Sequence, residues 1–247
     1  MNIEVTIRGK RLCASKPDDI VVLTKDNYEH HIVTRLPELL ARGGGFIDVG
    51  AHFGYYTLVV KDIKADVPIF NFDPNPRNYE CILNTVGWNG FGSVMTYCCG
   101  ASDVVRTLDY GDTGSDWFDN GTVMDLNGRS KQPVMVIPID LTPATDTPIC
   151  CMKIDVEGHE LHGLRGAERL IRTQRPAVVL EFCPQALAQH GTRPLDLVQW
   201  MLDRGYGVEV LEYQPGMGKK FDTAEACVAH IASWPSWMTD LLFVHKG

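Results

Sequence analysis

The stretch Phe46–Gly54 constrains the fold of this chain more than any other. A short apolar run ends in Asp48, and a turn containing Gly50 leads into a segment of helical character, Tyr55–Ile63. This order predicts a buried strand, a tight loop and a helix N-terminus, the beginning of a βαβ unit. Glycine has no Cβ and therefore lets the backbone come close to a ligand.

The spacing of the loop, Asp-x-Gly-x-x-x-Gly, differs from the Gly-x-Gly-x-x-Gly of dinucleotide-binding folds. His52 stands where the second glycine of that pattern would be, and that glycine is the one that lets a pyrophosphate approach the backbone. The loop therefore favours a ligand without phosphates. Taken alone, the same residues would suit a βα turn with no ligand equally well.

A second acid, Asp73, follows 25 residues after Asp48. Val67–Phe72 is predicted to be the second strand, and Pro76 begins the next helix. A carboxylate at the tip of the second strand suits the two hydroxyls of a ribose, which both donate hydrogen bonds to it. The alternative for Asp73 is a turn or helix N-cap residue.

Charged side chains also end the predicted strand Cys150–Asp155. Strand alternation places Lys153 and Asp155 on one side of this strand, and Glu157 follows them. The carboxyl ends of parallel strands are where open α/β sheets bind ligands. A purely structural ion pair between Lys153 and Glu157 is the alternative.

Together, Asp48–Tyr56, Phe72–Pro76 and Lys153–Glu160 resemble the FkbM family of S-adenosylmethionine-dependent methyltransferases, over residues 45–181. Two positions depart from the family, which usually has asparagine in place of His52 and glutamate in place of Asp73. The shorter side chain of Asp73 would contact a ribose over a longer distance or through water.

The resemblance implies an α/β, Rossmann-like class I methyltransferase fold. The sheet would be mostly parallel and seven-stranded, with helices on both faces, an antiparallel last strand and a hairpin formed by the last two strands. Residues 1–247 would form a single methyltransferase domain, with an N-terminal β/α extension, 1–42, before the catalytic core, 43–247. The elements predicted in the extension are a hairpin (Ile3–Arg8 and Lys10–Ser15), a strand (Ile20–Thr24) and a helix (Asn27–Arg42).

Related methyltransferases often cover the cofactor with a helix that precedes the first motif. The resemblance therefore implies a lid role for Tyr28–His31, and a solvated helix end is the alternative. Gly111–Gly121 is rich in turn formers but carries adjacent aromatic residues, and our hypothesis is that it shapes the acceptor pocket. The remaining predicted strands are Ser93–Cys99, Val104–Tyr110, Gln132–Ile139, Ala177–Phe182, Gly207–Tyr213 and Leu241–His245.

By the same resemblance, the cofactor is S-adenosylmethionine. Ser102 or Asp103 would accept a hydrogen bond from the adenine amino group, although a polar turn explains this pair as well. The residues implied in cofactor binding are Asp48, Gly50, Ala51, His52, Gly54, Asp73, Ser102, Asp103 and Asp155.

Methyl transfer to an alcohol requires the acceptor oxygen to lie in line with the methyl–sulfur bond, and a general base makes that oxygen a better nucleophile. His159 is the first candidate base, because the unperturbed pKa of histidine is about 6.5. Asp155 and Glu181 are the other candidates, and His159 has a structural alternative as a helix-start residue. A divalent metal held by Asp155 and other acids would lower the pKa of the acceptor, but the spacing does not require one and no metal ligand is assigned.

Composition narrows the classes of partner. A formal net charge of -8 argues against a nucleic-acid-binding surface, and no apolar run approaches the length of a membrane span. The eight cysteines contain no C-x-x-C pair and are predicted to be free, buried side chains in a reducing, cytoplasmic compartment.

The leading functional hypothesis is an O-methyltransferase acting on a hydroxyl of a small-molecule acceptor, a sugar or another natural-product scaffold, in natural product biosynthesis or carbohydrate modification. The alternatives are a nicotinamide-dependent oxidoreductase on a Rossmann fold and a non-catalytic cofactor-binding module. The resemblance supplies the substrate class, and the residues themselves do not name the acceptor or the oligomeric state.

Overall fold

The computed structural model describes residues 2–14, 28–112, 121–123, 132–211, 218–234 and 238–247, with only the backbone described at 112 and 121–123. The predicted strand at Ile20–Thr24 lies outside the described residues. Residues 113–120, the centre of the segment for which an acceptor-pocket role is hypothesised, also lie outside them.

Fourteen strands are present in the part of the chain that the structure describes. In chain order they are β1 (Ile3–Ile7), β2 (Lys10–Ala14), β3 (Gly45–Val49), β4 (Ile69–Phe72), β5 (Val94–Tyr97), β6 (Gly100–Ala101), β7 (Arg106–Asp112), β8 (Gly121–Val123), β9 (Gln132–Ile137), β10 (Ile149–Ile154), β11 (Ala177–Phe182), β12 (Tyr206–Val210), β13 (Lys219–Phe221) and β14 (Thr239–His245).

Nine α-helices lie between these strands in the described residues. They are α1 (His30–Val33), α2 (Leu36–Ala41), α3 (Tyr55–Ile63), α4 (Pro76–Asn89), α5 (Glu160–Gly166), α6 (Glu168–Gln174), α7 (Pro184–Gln189), α8 (Pro194–Leu202) and α9 (Ala224–Ala232). No helix in the described ranges is long and apolar enough to cross a membrane.

The main sheet has eight strands in the order β13-β12-β14-β11-β10-β3-β4-β5. Neighbours from β11 to β5 are parallel, whereas β14 lies antiparallel between β11 and β12. This is the predicted class I methyltransferase arrangement with an antiparallel last strand, enlarged by the short edge strand β13. The four central strands β3, β4, β10 and β11 are buried almost throughout, as expected of parallel strands covered on both faces.

Each face of the main sheet has its own apolar core. One core includes Val49, Ile154 and Phe182 and is covered by α5 to α9, and the other includes Phe46, Cys151 and Val179 and is covered by α1 to α4. Because successive residues of a strand face opposite sides, the polar residues that follow a strand divide between the same two faces. This division decides which charged groups meet at the carboxyl edge.

The N-terminal extension contains the predicted β-hairpin, with β1 and β2 antiparallel. The backbone N–H of Cys13 donates to the hydroxyl of Thr85 at 2.9 Å and so ties the hairpin to α4. The single helix predicted at Asn27–Arg42 is wrong, because the chain forms two short helices, α1 and α2. Pro37 lies in the first turn of α2, where its missing N–H is tolerated, so a new helix starts there.

A second, smaller sheet has the order β6-β9-β7-β8. Two of its strands, β7 and β9, are predicted from sequence, and they pair antiparallel with each other. Strand β6 pairs parallel with the end of β9. The small sheet therefore begins directly where β5 leaves the main sheet, next to the carboxyl edge.

Candidate active site

The loop after β3 turns sharply at Gly50 and Gly54, which both have a φ of 82°. A Cβ on Gly50 would lie 1.8 Å from the carbonyl oxygen of Asp155, so no larger residue fits at this position. Gly54 is the N-cap of α3. The loop thus holds the end of β3 directly against the end of β10.

The N–H groups of this loop form hydrogen bonds within the protein. Those of Gly50 and Ala51 donate to the last carbonyl of β4, at 2.8 and 3.1 Å, and that of Gly54 donates to the Ala51 carbonyl at 2.8 Å. The N–H of His52 donates to a carboxylate oxygen of Asp73 at 2.8 Å. A phosphate-binding loop presents its N–H groups to the phosphate oxygens, and these four point instead to protein acceptors.

His52 has a φ of 51°, in the left-handed region that asparagine adopts more readily than most residues. Its ring lies against that of Phe53, with the ring centroids 3.5 Å apart. The histidine therefore takes the backbone conformation that suits the asparagine usual at this position in the FkbM family, and the course of the loop does not depend on a glycine here.

Asp73 lies at the tip of β4 and is only 4% exposed. Besides the bond from His52, it accepts one from the N–H of Asn75 at 2.9 Å, and the amide of Asn78 donates to both of its oxygens at 3.2 Å. Burial raises the pKa of Asp73 to about 7, although these hydrogen bonds oppose the rise. Asn75, not Asp73, is the N-cap of α4. The ribose-binding role of Asp73 stays a prediction.

Asp48 is 1% exposed, and its Oδ2 atom has no hydrogen-bond partner among the described residues. Burial raises the pKa of this carboxyl to about 8, and Lys153 opposes the rise. Asp48 and Lys153 are directly paired in the ladder between β3 and β10, so their side chains lie on the same face of the sheet. The end of β3 thus carries a buried acid with an unsatisfied acceptor beside the glycine loop.

Lys153 is 2% exposed, and its ammonium donates to Asp155 at 2.8 Å. Asp155, Glu157 and Glu181 each place one carboxylate oxygen within 4.8 Å of the other two. Burial raises the pKa of Glu181 well above its usual range, and the charges of Asp155 and Glu157 add to the effect. Three carboxylates at this distance repel one another, so the cluster favours uptake of a proton or a cation. Two of the candidate bases, Asp155 and Glu181, therefore lie together.

His159 lies elsewhere, at the N-cap of α5 and 3% exposed. Its Nε2 atom is 3.1 Å from the hydroxyl of Ser102, and its Nδ1 atom is 3.4 Å from Nδ1 of His190. Burial lowers the pKa of His159 to about 3, and the neighbouring His162 and His190 lower it further. These contacts place the imidazole in a buried histidine cluster and not with the three carboxylates. The general-base role of His159 stays a prediction, and the geometry favours Asp155 or Glu181 for that role.

Ser102 is fully buried, whereas the side chain of Asp103 is 32% exposed. Asp103 accepts hydrogen bonds from the Ser102 hydroxyl and from His162, both at 3.2 Å. Burial raises the pKa of Asp103, but the hydrogen bond and charge of His162 together with further hydrogen bonds outweigh burial, and the net pKa is lowered. Of the pair predicted to contact an adenine, Asp103 is the accessible member, and this contact also stays a prediction.

The turn between β10 and α5 depends on Glu160 and Gly158. One oxygen of Glu160 accepts from the N–H of Val156 at 3.2 Å and from that of Gly158 at 3.0 Å. A Cβ on Gly158 would lie 2.4 Å from the carbonyl oxygen of Ala186, at a φ of 104°. Glu160 thus fixes the turn that carries Glu157.

Compared with models of known protein families, residues 48–208 match the methyltransferase FkbM domain. The match covers well over half of the chain. This chain belongs to the FkbM methyltransferase family.

Solved structures of methyltransferases share the fold of this chain. The methyltransferase FkbM from Methylobacillus flagellatus KT superposes with a TM-score of 0.53 at 18% identity, over 93% of this chain and 55% of that one. This chain therefore spans about half the length of that relative. The precorrin-6y C5,15-methyltransferase from Geobacter metallireducens GS-15 superposes with a TM-score of 0.50 at 14% identity, over 96% and 94% of the two chains. No curated protein matches this chain in sequence.

The FkbM match begins at Asp48, and two polar residues that the structure brings to the carboxyl edge lie outside it. Glu29 accepts a hydrogen bond from the hydroxyl of Tyr56. Asp240, on β14, accepts a hydrogen bond from Nε2 of His31 at 2.7 Å. No local sequence pattern predicts a site role for Asp240 or Tyr56, because neither lies in a glycine loop or at the carboxyl end of a parallel strand.

Proposed function

We propose that this FkbM domain transfers a methyl group from S-adenosylmethionine to a hydroxyl of a small-molecule acceptor, a sugar or another natural-product scaffold. Membership of the FkbM family supports methyl transfer, and the acceptor class rests on the family resemblance. The observation that carries the proposal is the composition of the carboxyl edge. A buried acid with an unsatisfied oxygen, Asp48, lies beside the glycine loop, and a pair of close carboxylates, Asp155 and Glu181, lies at the carboxyl ends of β10 and β11, on one side of β3.

The residues present fit S-adenosylmethionine at two points. Oδ2 of Asp48 is a buried acceptor that an ammonium group would satisfy, and the cofactor carries one on its methionine part. Asp73 accepts two long bonds from Asn78, which the ribose hydroxyls would replace while the bonds to the loop remain. Bound cofactor would supply an electrophilic methyl group on a positively charged sulfur.

In this proposal Glu181 removes the proton of the acceptor hydroxyl. A base is more effective when its pKa approaches the working pH, and burial together with the nearby charges raises the pKa of Glu181 well above its usual range. Asp155 is held by Lys153 at 2.8 Å and would orient the acceptor hydroxyl by accepting a hydrogen bond from another group of the acceptor.

The two alternatives make different predictions for binding and turnover. A nicotinamide oxidoreductase must bind a pyrophosphate, which is disfavoured because four N–H groups of the loop are bonded to protein acceptors. A binding module without catalysis would take up S-adenosylmethionine and release no S-adenosylhomocysteine.

The test begins with calorimetry of the whole chain against S-adenosylmethionine and NAD. Binding of the first and not the second supports the proposal, and the reverse result would refute it. Incubation with methyl-labelled cofactor and an extract containing sugars and glycosylated metabolites should then yield a labelled product whose mass identifies the acceptor.

Glu181→Gln tests the assignment of the base. This variant should bind S-adenosylmethionine as the wild type does, because Glu181 is not among the cofactor contacts. Its kcat should fall about 100- to 10,000-fold, the usual contribution of general base catalysis. A variant with wild-type kcat would exclude Glu181 as the base while leaving the proposed reaction intact.

A further inference from the structure

A buried polar group joins the N-terminal extension to the carboxyl edge of the sheet. Glu29 precedes α1, Tyr56 lies in the first turn of α3, and Lys153 lies near the end of β10. The Tyr56 hydroxyl donates to Glu29, and the Lys153 ammonium lies 5.5 Å from the centroid of the Tyr56 ring. Three elements that are distant in sequence thus meet around one cation.

The Lys153 ammonium contacts Asp155 and also interacts electrostatically with two further carboxylates, Glu29 and Asp240. Burial lowers the pKa of Lys153, but Asp155, Glu29 and Asp240 outweigh this effect and raise the pKa well above its usual range. Burial raises the pKa of Glu29, and the charge of Lys153 opposes this rise without cancelling it. A cation that interacts with more than one carboxylate is not drawn fully towards any single one of them.

The extension is also held in place at two further points. His31 donates to Asp240 at 2.7 Å, and the hydroxyl of Tyr55 donates to the carbonyl of Tyr28 at 3.2 Å. Glu29 itself has a φ of 45°, a conformation that a non-glycine residue keeps only when its surroundings enforce it. These contacts fix the position of Glu29, which interacts electrostatically with Lys153 and with the Asp155 carboxylate of the proposed site.

We propose that Glu29 is a positioning residue: held by the Tyr56 hydroxyl, its carboxylate attracts the Lys153 ammonium that contacts Asp155 and so sets where the Asp155 carboxylate lies. This role rests on the proposed function. Without the charge of Glu29, the ammonium is attracted more strongly to Asp155, which it already contacts at 2.8 Å. Asp155 is then less available to the acceptor, although no residue that contacts the acceptor has changed.

The test compares Glu29→Gln with the wild type. Glutamine keeps an oxygen that can accept from Tyr56 but removes the charge. The kcat should fall about tenfold to a hundredfold, as expected for a small misplacement of a reacting group, while the affinity for S-adenosylmethionine changes less than about twofold. A role confined to folding would instead lower the unfolding midpoint and leave the kcat of the folded fraction unchanged.

The pH profile of kcat/KM supplies a second measurement. Removing one negative charge makes the remaining carboxylates easier to ionise, so the acidic limb should move to lower pH in Glu29→Gln. If Glu29→Gln keeps both the wild-type kcat and the wild-type position of the acidic limb, the positioning role of Glu29 is overturned. The titratable or charged groups around Glu29 are Tyr28, His31, Asp48, Tyr55, Tyr56, Lys153, Asp155 and Asp240.

Tyr56→Phe and Tyr55→Phe form a matched pair on one helix. The first loses the hydrogen bond to the Glu29 carboxylate, and the second loses only a bond to the backbone of the same segment. Tyr56→Phe should reproduce the fall in kcat seen in Glu29→Gln, and Tyr55→Phe should remain within about twofold of the wild type. Equal losses in the two variants would show that the segment needs only to be tethered and would overturn the role of the carboxylate.

The two proposals fail in different ways. A wild-type chain that releases no S-adenosylhomocysteine with any acceptor overturns the proposed function and this role with it. A wild type that turns over, with Glu29→Gln at the same kcat and the same pH limb, overturns the role of Glu29 alone.

Discussion

At the scale of single residues, Gly50 and Gly90 separate two reasons for the presence of a glycine. Both have positive φ, 82° and 62°. A Cβ on Gly50 would lie 1.8 Å from the carbonyl oxygen of Asp155, whereas one on Gly90 would meet nothing within 4 Å. Gly90 is required only by its left-handed backbone, and Gly50 is also required because two strand ends approach each other there.

Replacing each of these glycines by alanine should therefore have unequal effects. Gly90→Ala should lower the free energy of unfolding by about 1–2 kcal/mol, the usual penalty for a left-handed alanine. Gly50→Ala adds an overlap with backbone that cannot rotate away, so it should cost at least about 2 kcal/mol more. Urea denaturation followed by circular dichroism measures both losses. Equal losses of the free energy of unfolding in the two variants would mean that the ends of β3 and β10 can move apart without an energetic cost.

At the scale of elements, the strands that end in acids could be predicted because their signal is local. β3, β4, β10 and β11 are apolar runs, each closed by or followed by an acid, and parallel strands bring their carboxyl ends to one edge. The predicted bounds of α3 and β11 agree with the structure. Which side chains meet at that edge depends on contacts far apart in sequence, such as that of Glu29 with Tyr56, and no local pattern encodes them.

His159 shows how a position can be predicted while the surroundings of its side chain are not. Its place after the tip of β10 is as predicted. Glu157 and Gly158 then take positive φ, 54° and 104°, and this turn leads the chain into α5 with His159 against Ser102. The local sequence does not predict which way the chain turns here, although Gly158 indicates that a turn is present.

The histidine cluster between α5, α7 and β6 makes stability depend on pH. Burial lowers the pKa of His159 to about 3, below its value in the unfolded chain. As the pH falls below about 6.5, the unfolded state therefore binds a proton on this histidine before the folded state does. The stability that the neutral, buried imidazole contributes is lost progressively as the pH falls towards the folded-state pKa. The buried acids Asp48, Asp73 and Glu160, with pKa raised to about 8, 7 and 7, act in the opposite direction, because their folded forms keep protons that the unfolded chain loses.

The comparison of the wild type with His159→Gln isolates the histidine from those acids. Between pH 6 and pH 4, the difference in free energy of unfolding between the two proteins should change by up to about 1.4 kcal/mol per pH unit, with the wild type losing more. Chemical denaturation at several pH values measures this difference. A difference that does not vary with pH would mean that His159 can be protonated in the folded protein.

At the scale of the whole molecule, apolar cores cover both faces of the main sheet, and buried polar residues lie along its carboxyl edge. The chain carries a formal net charge of -8. With a pKa of about 8, Asp48 is mostly protonated at pH 7 in the free protein. A cationic ligand at this edge favours the ionised acid. Binding of S-adenosylmethionine should therefore release protons, and its affinity should rise as the pH rises from 6 towards 8.

Calorimetry of cofactor binding in buffers of different ionisation enthalpy measures this release. The number of protons released at pH 7 should approach about one, and it should be smaller at pH 9, where Asp48 is already ionised in the free protein. Asp48→Asn is the matched control, since it keeps the shape of the side chain but has no proton to lose, and it should abolish most of the release. If the wild type releases no proton at pH 7, Asp48 does not face the ammonium of the cofactor, and the unsatisfied oxygen at the end of β3 requires another partner.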